Sequence, residues 1–184
     1  MLITISWKAW SGKSSVAKIL AEKLGYEYIS IWNIKRALAE KMGINIAEFN
    51  ALGTKPENIQ SFDLKYEDYQ KSLPTDGKII LESRLGFFCQ PKAFKVFLTV
   101  SDQEAAQRIF AQKRTTDQFT DFQKTLEVTN RRNEEDKQRY ENLYGINRED
   151  EKNYNFVLDT TGDTIDWSVQ KILAAYQKFL NIDL

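Results

Sequence analysis

The stretch of sequence that decides the fold is ISWKAWSGKSSVAKILAEKLG, Ile5–Gly25. It overlaps an apolar, β-branched run, Leu2–Ser6, which predicts a short buried strand. From Lys13 onward apolar residues recur at helical spacing, and Gly25 is the residue type that ends a helix in a left-handed conformation. The Gly-Lys-Ser at 12–14 lies between the strand and the helix, which is the order of elements in a phosphate-binding loop.

A phosphate-binding loop uses backbone N–H groups and a helix N-terminus to hold anionic phosphates. Lys13 would then reach the β- and γ-phosphates, and the Ser14 hydroxyl would hold Mg²⁺. The pattern G-x-x-x-x-G-K-[ST] is matched at its end but not at its start, where Trp7 replaces glycine. The alternative is a capped helix with a surface lysine. The residues predicted to surround ATP are Trp7, Lys8, Ala9, Trp10, Ser11, Gly12, Lys13, Ser14 and Ser15.

The composition of the 184 residues excludes several classes of function. Lys+Arg and Asp+Glu both number 26, which argues against a general binder of nucleic acids or anionic membranes. The single cysteine, Cys89, rules out an internal disulfide and fits a cytoplasmic protein. Histidine is absent, so serine–histidine hydrolases and histidine metal sites are excluded. No run approaches the roughly 18 apolar residues of a membrane span.

The rest of the chain alternates between short apolar runs and amphipathic segments. This alternation predicts a single α/β domain with a parallel sheet and helices on both faces. We expect further strands near residues 26–30, 78–81, 94–100 and 156–158, and helices near 34–42, from 46, and at 61–72, 102–113, 121–144 and 167–180.

Three further clusters carry charge. Glu82 and Arg84 follow a predicted strand, and a carboxylate at the carboxyl edge of a sheet can hold Mg²⁺ through water. Arg36 closes the second cluster, 30–36. In the third cluster, 130–140, Arg132 and Arg139 are seven residues apart and so share a helix face. Facing arginines suit a transferring phosphoryl group, whereas a solvated helix with ion pairs is the alternative.

Taken together these residues resemble the nucleoside monophosphate kinases, and most closely the short cytidylate kinases, along nearly the whole chain. The resemblance implies a P-loop NTPase fold with a five-stranded parallel sheet, a monophosphate-binding insert at about 33–73 and a lid at about 112–131. It implies transfer of phosphate from ATP to CMP or dCMP, giving CDP or dCDP, with Mg²⁺ as cofactor. The protein would be a monomer whose partners are ATP and a nucleoside monophosphate.

The resemblance also implies the roles of individual residues. Lys13, Arg132 and Arg139 would stabilise the transferring group, and Ser14 and Glu82 would hold the metal ion. No general base is needed, because the attacking phosphate oxygen is already ionised. Two alternatives remain: a kinase of another acceptor, such as AMP or UMP, and an interaction module that no longer binds ATP. Arg108 would lie against adenine, and the acceptor would be held by Asn33, Arg36 and Arg84.

The chain departs from the family pattern mainly at glycines. Trp7, Trp10 and Trp32 each stand where the family has glycine, Ser83 also replaces glycine, and Asn33 replaces aspartate. Tryptophans at 7 and 10 would crowd a loop built for bare backbone. One hypothesis is that UGA codons, which mean glycine in some bacterial codes, were read as tryptophan. The low glycine content, 8 in 184 against an average near 7%, agrees with it; genuine substitution is the alternative.

Overall fold

The computed structural model describes residues 1–8, 11–53, 59–111 and 122–182. Across these residues the core is a five-stranded, all-parallel sheet with strand order β2-β3-β1-β4-β5. The sheet and its strand number agree with the expectation from the sequence. Its strands are β1 Ile3–Trp7, β2 Glu27–Ser30, β3 Ile79–Glu82, β4 Phe94–Thr99 and β5 Phe156–Asp159.

Helices cover both faces of the sheet. The helices α1 and α8 pack on the face formed by Ile3, Ile5 and Val96, and the opposite face is covered by α4, α5 and α7. No helix in the described ranges is long and apolar enough to cross a membrane. The helices are α1 Lys13–Leu24, α2 Ile31–Lys41, α3 Ile46–Gly53, α4 Ile59–Ser72, α5 Gly86–Cys89, α6 Asp102–Ala111, α7 Phe122–Tyr144 and α8 Ile165–Ile182.

The two ends of α1 show why the opening stretch folds as it does. Gly12 precedes the helix with φ 78°, and Gly25 ends it with φ 65°. Both values lie in the left-handed region, where a side chain is costly, so glycine permits the two turns. Between them Val16, Ala17 and Leu20 are buried against the sheet. The glycines fix the limits of the helix, and its apolar stripe fixes its orientation.

Three elements differ from the sequence prediction. The helix α2 begins at Ile31, three residues earlier than expected, because the Ser30 side chain caps it by accepting from the Asn33 N–H. The four-residue α5 and a 3-10 turn at Glu151–Asn153 are too short to show helical periodicity. At the start of α5, a Cβ on Gly86 would lie 3.1 Å from the Thr4 Cβ, so glycine allows this close packing.

The expected insert and lid are described only in part. Residues 33–73 form most of α2 together with α3 and α4, apart from residues 54–58, which lie outside the described residues. Residues 112–121 of the expected lid also lie outside them, and the remainder, 122–131, begins α7. The boundaries of both units remain predictions.

Candidate active site

The loop from β1 to α1 leaves the carboxyl edge of the sheet. Ser11 is buried, and its N–H donates to the Lys8 carbonyl at 3.3 Å. Lys8 forms an ion pair with Asp102 at 2.7 Å, which ties the loop to the first turn of α6. Ser15 is exposed in the first turn of α1. The predicted ATP-binding residues Ala9 and Trp10 lie outside the described residues.

Glu82 is the centre of a polar corner at the end of β3. Its side chain is fully buried, with 0% exposure. The Ser14 hydroxyl donates to Oε1 at 3.2 Å, and the Lys13 ammonium lies 3.6 Å from the same oxygen. Because α1 starts beside the carboxyl end of β3, the fold brings Lys13 and Ser14 to a carboxylate that is almost seventy positions away in sequence.

Tyr28 on β2 completes this corner. Its hydroxyl donates to Glu82 Oε2. Burial, followed by the hydrogen bond and the charge of Glu82, raises the pKa of Tyr28 above its usual range. The phenol therefore stays protonated and acts as a donor, which fixes the orientation of the carboxylate.

Trp7 lies on the other side of the loop. It is paired with Leu98 as the last residue of β1, so its backbone has an extended strand conformation and carries no strain from a side chain. The indole is 4% exposed and packs into the main core. The Lys13 ammonium lies 4.7 Å from the ring centre, and the Arg84 guanidinium lies 5.8 Å from it. An aromatic ring thus lies next to two cations that were predicted to bind phosphate.

Arg84 belongs to a group of cations at this end of the sheet. Burial lowers its pKa to about 10, and repulsion from Arg148 and Arg139 acts in the same direction. A hydrogen bond with Tyr140 opposes the shift. The structure therefore brings predicted residues Arg84 and Arg139 near each other and adds Arg148, whose Nη1 donates to the Trp7 carbonyl at 2.8 Å.

Arg108 on α6 is fixed by contacts on both sides. Its Nη2 donates to Glu104 at 2.6 Å and to the Thr160 carbonyl at 2.7 Å. The Thr160 hydroxyl lies 3.2 Å from the carbonyl of Ser11 in the phosphate loop. Arg108 is thus joined through one threonine to the loop, on the side where adenine was predicted to bind.

Three predicted residues are not brought into this cluster by the described contacts. Arg36 is exposed on α2, with its guanidinium 5.9 Å from the Trp32 ring one turn earlier on the same helix. Asn33 is also exposed on α2. Arg132 lies on α7, but its side chain is not among those the structure describes. Their roles stay predictions.

Sequence reasoning missed Tyr28, Arg148 and Thr160 as members of the site. Tyr28 is half-buried on a short strand, and its place in the sequence gives no sign of its partner. Arg148 follows a long helix and looks like a surface charge, although it is 1% exposed. A buried arginine cannot be recognised without the fold, because its burial depends on residues far away in sequence.

The polar corner has the donor types that suit Mg²⁺. A hydroxyl and a carboxylate are hard oxygen ligands, and Mg²⁺ in kinases is usually held by one or two such groups together with phosphates and water. Within the described ranges, no group of three or more Asp, Glu, Cys or His side chains could hold a metal ion by itself. Ser14 and Glu82 therefore fit a metal that arrives with a nucleotide.

Comparison with known proteins agrees with this architecture. Residues 2–162 match the model of the cytidylate kinase-like family. A cytidylate kinase of Sulfurisphaera tokodaii is 34% identical over 183 residues, which cover 98% of this chain and 97% of that protein. An S-adenosylmethionine-dependent nucleotide dehydratase of Lacinutrix mariniflava is 33% identical over 178 residues, 96% of this chain. This chain spans only 36% of the dehydratase's length.

Solved structures support the fold independently. Shikimate kinase from Bacteroides thetaiotaomicron aligns with a TM-score of 0.69 over 96% of this chain and 98% of that one, at 14% identity. At that identity the likeness shows the P-loop kinase fold and nothing finer. Because the family model spans most of the chain and the relative from Sulfurisphaera matches nearly end to end, the chain belongs to the cytidylate kinase-like family.

Proposed function

We propose that this protein is built to transfer the γ-phosphoryl group of ATP to CMP or dCMP. The observation that carries the proposal is the convergence of Lys13 and Ser14 on the buried carboxylate of Glu82, at the carboxyl edge of a parallel sheet. Ligands of open α/β sheets bind at this edge. The match to cytidylate kinases supports the choice of acceptor.

The polar corner would act on the donor nucleotide. Lys13 neutralises charge on the β- and γ-phosphates, and the N–H groups at the start of α1 hold the β-phosphate. Ser14 and Glu82 hold Mg²⁺, which when bound offsets the charge that develops on the transferring group. Tyr28 keeps Glu82 in one orientation. Arg108 would contact adenine beside Thr160.

The arginines would act on the acceptor and on the transferring group. Arg84 and Arg36 hold the acceptor phosphate in line, and Arg139 and Arg132 offset charge on the transferring group. The attacking oxygen of the monophosphate is already ionised, so these residues position and stabilise without removing a proton. Closure of the lid would exclude water and suppress hydrolysis of ATP.

A second candidate is an interaction module with an impaired ATP site. It is favoured by the position of the Trp7 indole, buried beside Lys13 and Arg84. The ring lies beside both cations, so we expect it to hinder the approach of a γ- or β-phosphate. We therefore expect the chain as written to bind ATP weakly, and glycine at position 7 to relieve the obstruction.

The acceptor need not be an ordinary monophosphate. One relative is a nucleotide dehydratase that shares a kinase-like stretch with this chain. Its name motivates a second acceptor class, a nucleotide that has lost water. AMP and UMP remain further alternatives. A panel of CMP, dCMP, AMP, UMP and a dehydrated CMP analogue, each assayed with ATP, would rank them.

Ligand-dependent stability tests the proposal against the interaction module. A ligand present at 100 times its Kd stabilises the native state by about 2.7 kcal/mol. For a kinase, we expect Mg-ATP and one monophosphate each to raise the unfolding temperature of the chain, or of its Trp7→Gly variant. If neither protein responds to either nucleotide, the interaction module is the better account.

A further inference from the structure

Arg148 is a buried cation whose hydrogen bonding is incomplete. Its side chain is 1% exposed. Nη1 donates to the Trp7 carbonyl at 2.8 Å, and Nη2 lies 3.4 Å from the neighbouring Glu149 carboxylate. Nε is buried and has no hydrogen-bond partner among the residues that the structure describes. Burying a charge costs free energy unless it is well paired, so a guanidinium in this state calls for a further anionic partner.

The position of Arg148 indicates what that anion is. The Trp7 carbonyl that it contacts marks the point where β1 ends and the phosphate loop begins. The ring of the same tryptophan lies 4.7 Å from the Lys13 ammonium and 5.8 Å from the Arg84 guanidinium. Three cations from three separate segments therefore surround one residue at the edge of the sheet.

The charges in this cluster repel one another. The pKa of Arg84 falls in part because Arg148 and Arg139 lie nearby. Glu149 balances Arg148 only weakly, because it is 30% exposed and the contact is long. A guanidinium can hold a phosphate through two hydrogen bonds. A bound phosphate would therefore reduce the repulsion between the cations and complete the hydrogen bonding of Arg148.

A purely structural role for Arg148 does not explain why a charged side chain is buried at this position. The segment that carries Arg148 is already tied down through its backbone, since the Tyr154 hydroxyl donates to the Arg148 carbonyl at 2.6 Å. That contact needs no guanidinium. A buried aliphatic side chain would fill the same space without the cost of desolvating a charge.

We propose that Arg148 is an additional phosphate-binding residue, which lies near Arg84 and holds a phosphate of the bound nucleotide beside the phosphate loop. The proposal rests on the proposed function, because it requires that phosphate bind at the edge of the sheet beside Lys13. It adds a cation from the connection between α7 and β5 to those from the loop and from β3.

Calorimetric titration with inorganic pyrophosphate tests this role without requiring catalysis. The variants are Arg148→Met, Arg148→Lys, Lys13→Met as the reference for the phosphate loop, and Lys152→Met as an exposed control in the same connection. Each is made in the native chain and with Trp7→Gly. In whichever background binds pyrophosphate, we expect Arg148→Met to weaken binding about 10- to 100-fold, Arg148→Lys to weaken it less, and Lys152→Met to leave it unchanged.

Thermal unfolding of the same proteins separates phosphate binding from structural support. Without phosphate, we expect Arg148→Met to melt near the temperature of its parent, because the removed repulsion offsets the lost hydrogen bond to the Trp7 carbonyl, and to lose most of the pyrophosphate-induced rise. A lower melting temperature with unchanged affinity would make Arg148 a structural tie and overturn the proposal. If Arg148→Met does not fold, Arg148→Lys with unchanged affinity would also overturn it. Absence of pyrophosphate binding in both backgrounds would reject the phosphate loop and Arg148 together.

Discussion

The two sides of the phosphate loop differ in what surrounds the residues predicted to bind ligands. On one side the buried side chain of Glu82 is contacted by a serine hydroxyl, a tyrosine hydroxyl and a lysine ammonium. On the other side the Trp7 indole lies 4.7 Å from the Lys13 ammonium and 5.8 Å from the Arg84 guanidinium. The half proposed to hold the metal ion is arranged before any ligand arrives, whereas the other half has a tryptophan beside the cations predicted to bind phosphate.

The strengths of the two kinds of contact indicate whether the cations would prefer a phosphate or the indole. A cation–π contact contributes about 0.5–2 kcal/mol, and a hydrogen bond between charged groups about 1.5–3 kcal/mol. The cations alone would therefore favour phosphate over the indole. Moving a buried aromatic side chain into water costs about 1.5–3 kcal/mol, and this cost would be subtracted from the affinity for ATP. The comparison predicts that affinity is limited by Trp7 and not by the Glu82 corner.

The largest effect is expected at Lys13, the residue shared by both sides. In any active form, Lys13→Ala should lower kcat about 10²- to 10³-fold or more, because it removes a charge from the transferring group. The fold should survive, since the side chain is 26% exposed and lies at the edge of the core. Steady-state kinetics and circular dichroism check the two statements.

Lys23→Ala is the matched control for this substitution. Lys23 lies on the same helix, is exposed and is remote from the loop. It should retain activity and lose at most about 0.5 kcal/mol of stability. If Lys13→Ala kept most of its activity, the assignment of the phosphate loop would be wrong.

A smaller effect is expected at the two arginines proposed to hold the acceptor phosphate, Arg84 beside Trp7 and Arg36 on α2. Arg84→Ala and Arg36→Ala should each weaken CMP binding about 10-fold or more, because a charged hydrogen bond to phosphate is lost. ATP binding should change much less, because its phosphates depend on Lys13 and the loop. Separate titrations with CMP and ATP measure the difference, with Lys41→Ala at the exposed end of α2 as a control. Equal losses for both nucleotides would reject the acceptor role.

The smallest effect is expected from the hydrogen bond that orients Glu82. Tyr28→Phe leaves one oxygen of a buried carboxylate without its donor and should cost about 1–3 kcal/mol of unfolding free energy. Tyr26→Phe breaks only a contact between two neutral hydroxyls, Tyr26 and Tyr176, 3.1 Å apart, and should cost about 0.5–1.5 kcal/mol. Urea denaturation ranks the two variants. A larger loss for Tyr26→Phe would contradict the view that the Glu82 corner is the more strongly coupled side.

The sequence predicts the fold and the Glu82 corner better than it predicts the Trp7 side. The parallel sheet follows from alternating apolar and amphipathic segments, and Gly12 and Gly25 mark the ends of α1. The pairing of Ser14 with Glu82 is predictable too, because both lie at strand or helix ends that meet at one edge. The positions of these side chains depend mainly on the order of strands and helices along the chain, and sequence patterns predict that order.

The Trp7 side could not be predicted in the same way. The sequence predicted that Trp7 would crowd the phosphate loop, but the structure places it in a regular strand and in the core. Tryptophan at this position is thus expected to oppose phosphate binding through its volume and not through its backbone conformation. Arg148 was missed because its burial arises from packing between segments more than a hundred residues apart.

The origin of the tryptophans can be examined in the gene. If they arise from decoding, codons 7, 10 and 32 are UGA, whereas genuine substitutions require UGG. Trp167 is 52% exposed at the start of α8, where either residue is tolerated, so its codon is left open. UGG at all three positions, with no gain of activity when the three tryptophans are changed to glycine, would point to a kinase-like protein that has abandoned its ATP site.

The central claim is that a phosphate-transfer site is present and is obstructed by tryptophan. The most direct test measures CDP formation from ATP and CMP, with Mg²⁺, by the chain as written and by the triple variant Trp7→Gly, Trp10→Gly, Trp32→Gly, with Trp167→Gly as a control for loss of an exposed indole. The account predicts that the triple variant gains ATP binding and CDP formation together, that adding Lys13→Ala abolishes the gain, and that Trp167→Gly gains nothing. A triple variant that folds but neither binds ATP nor forms CDP would contradict the account.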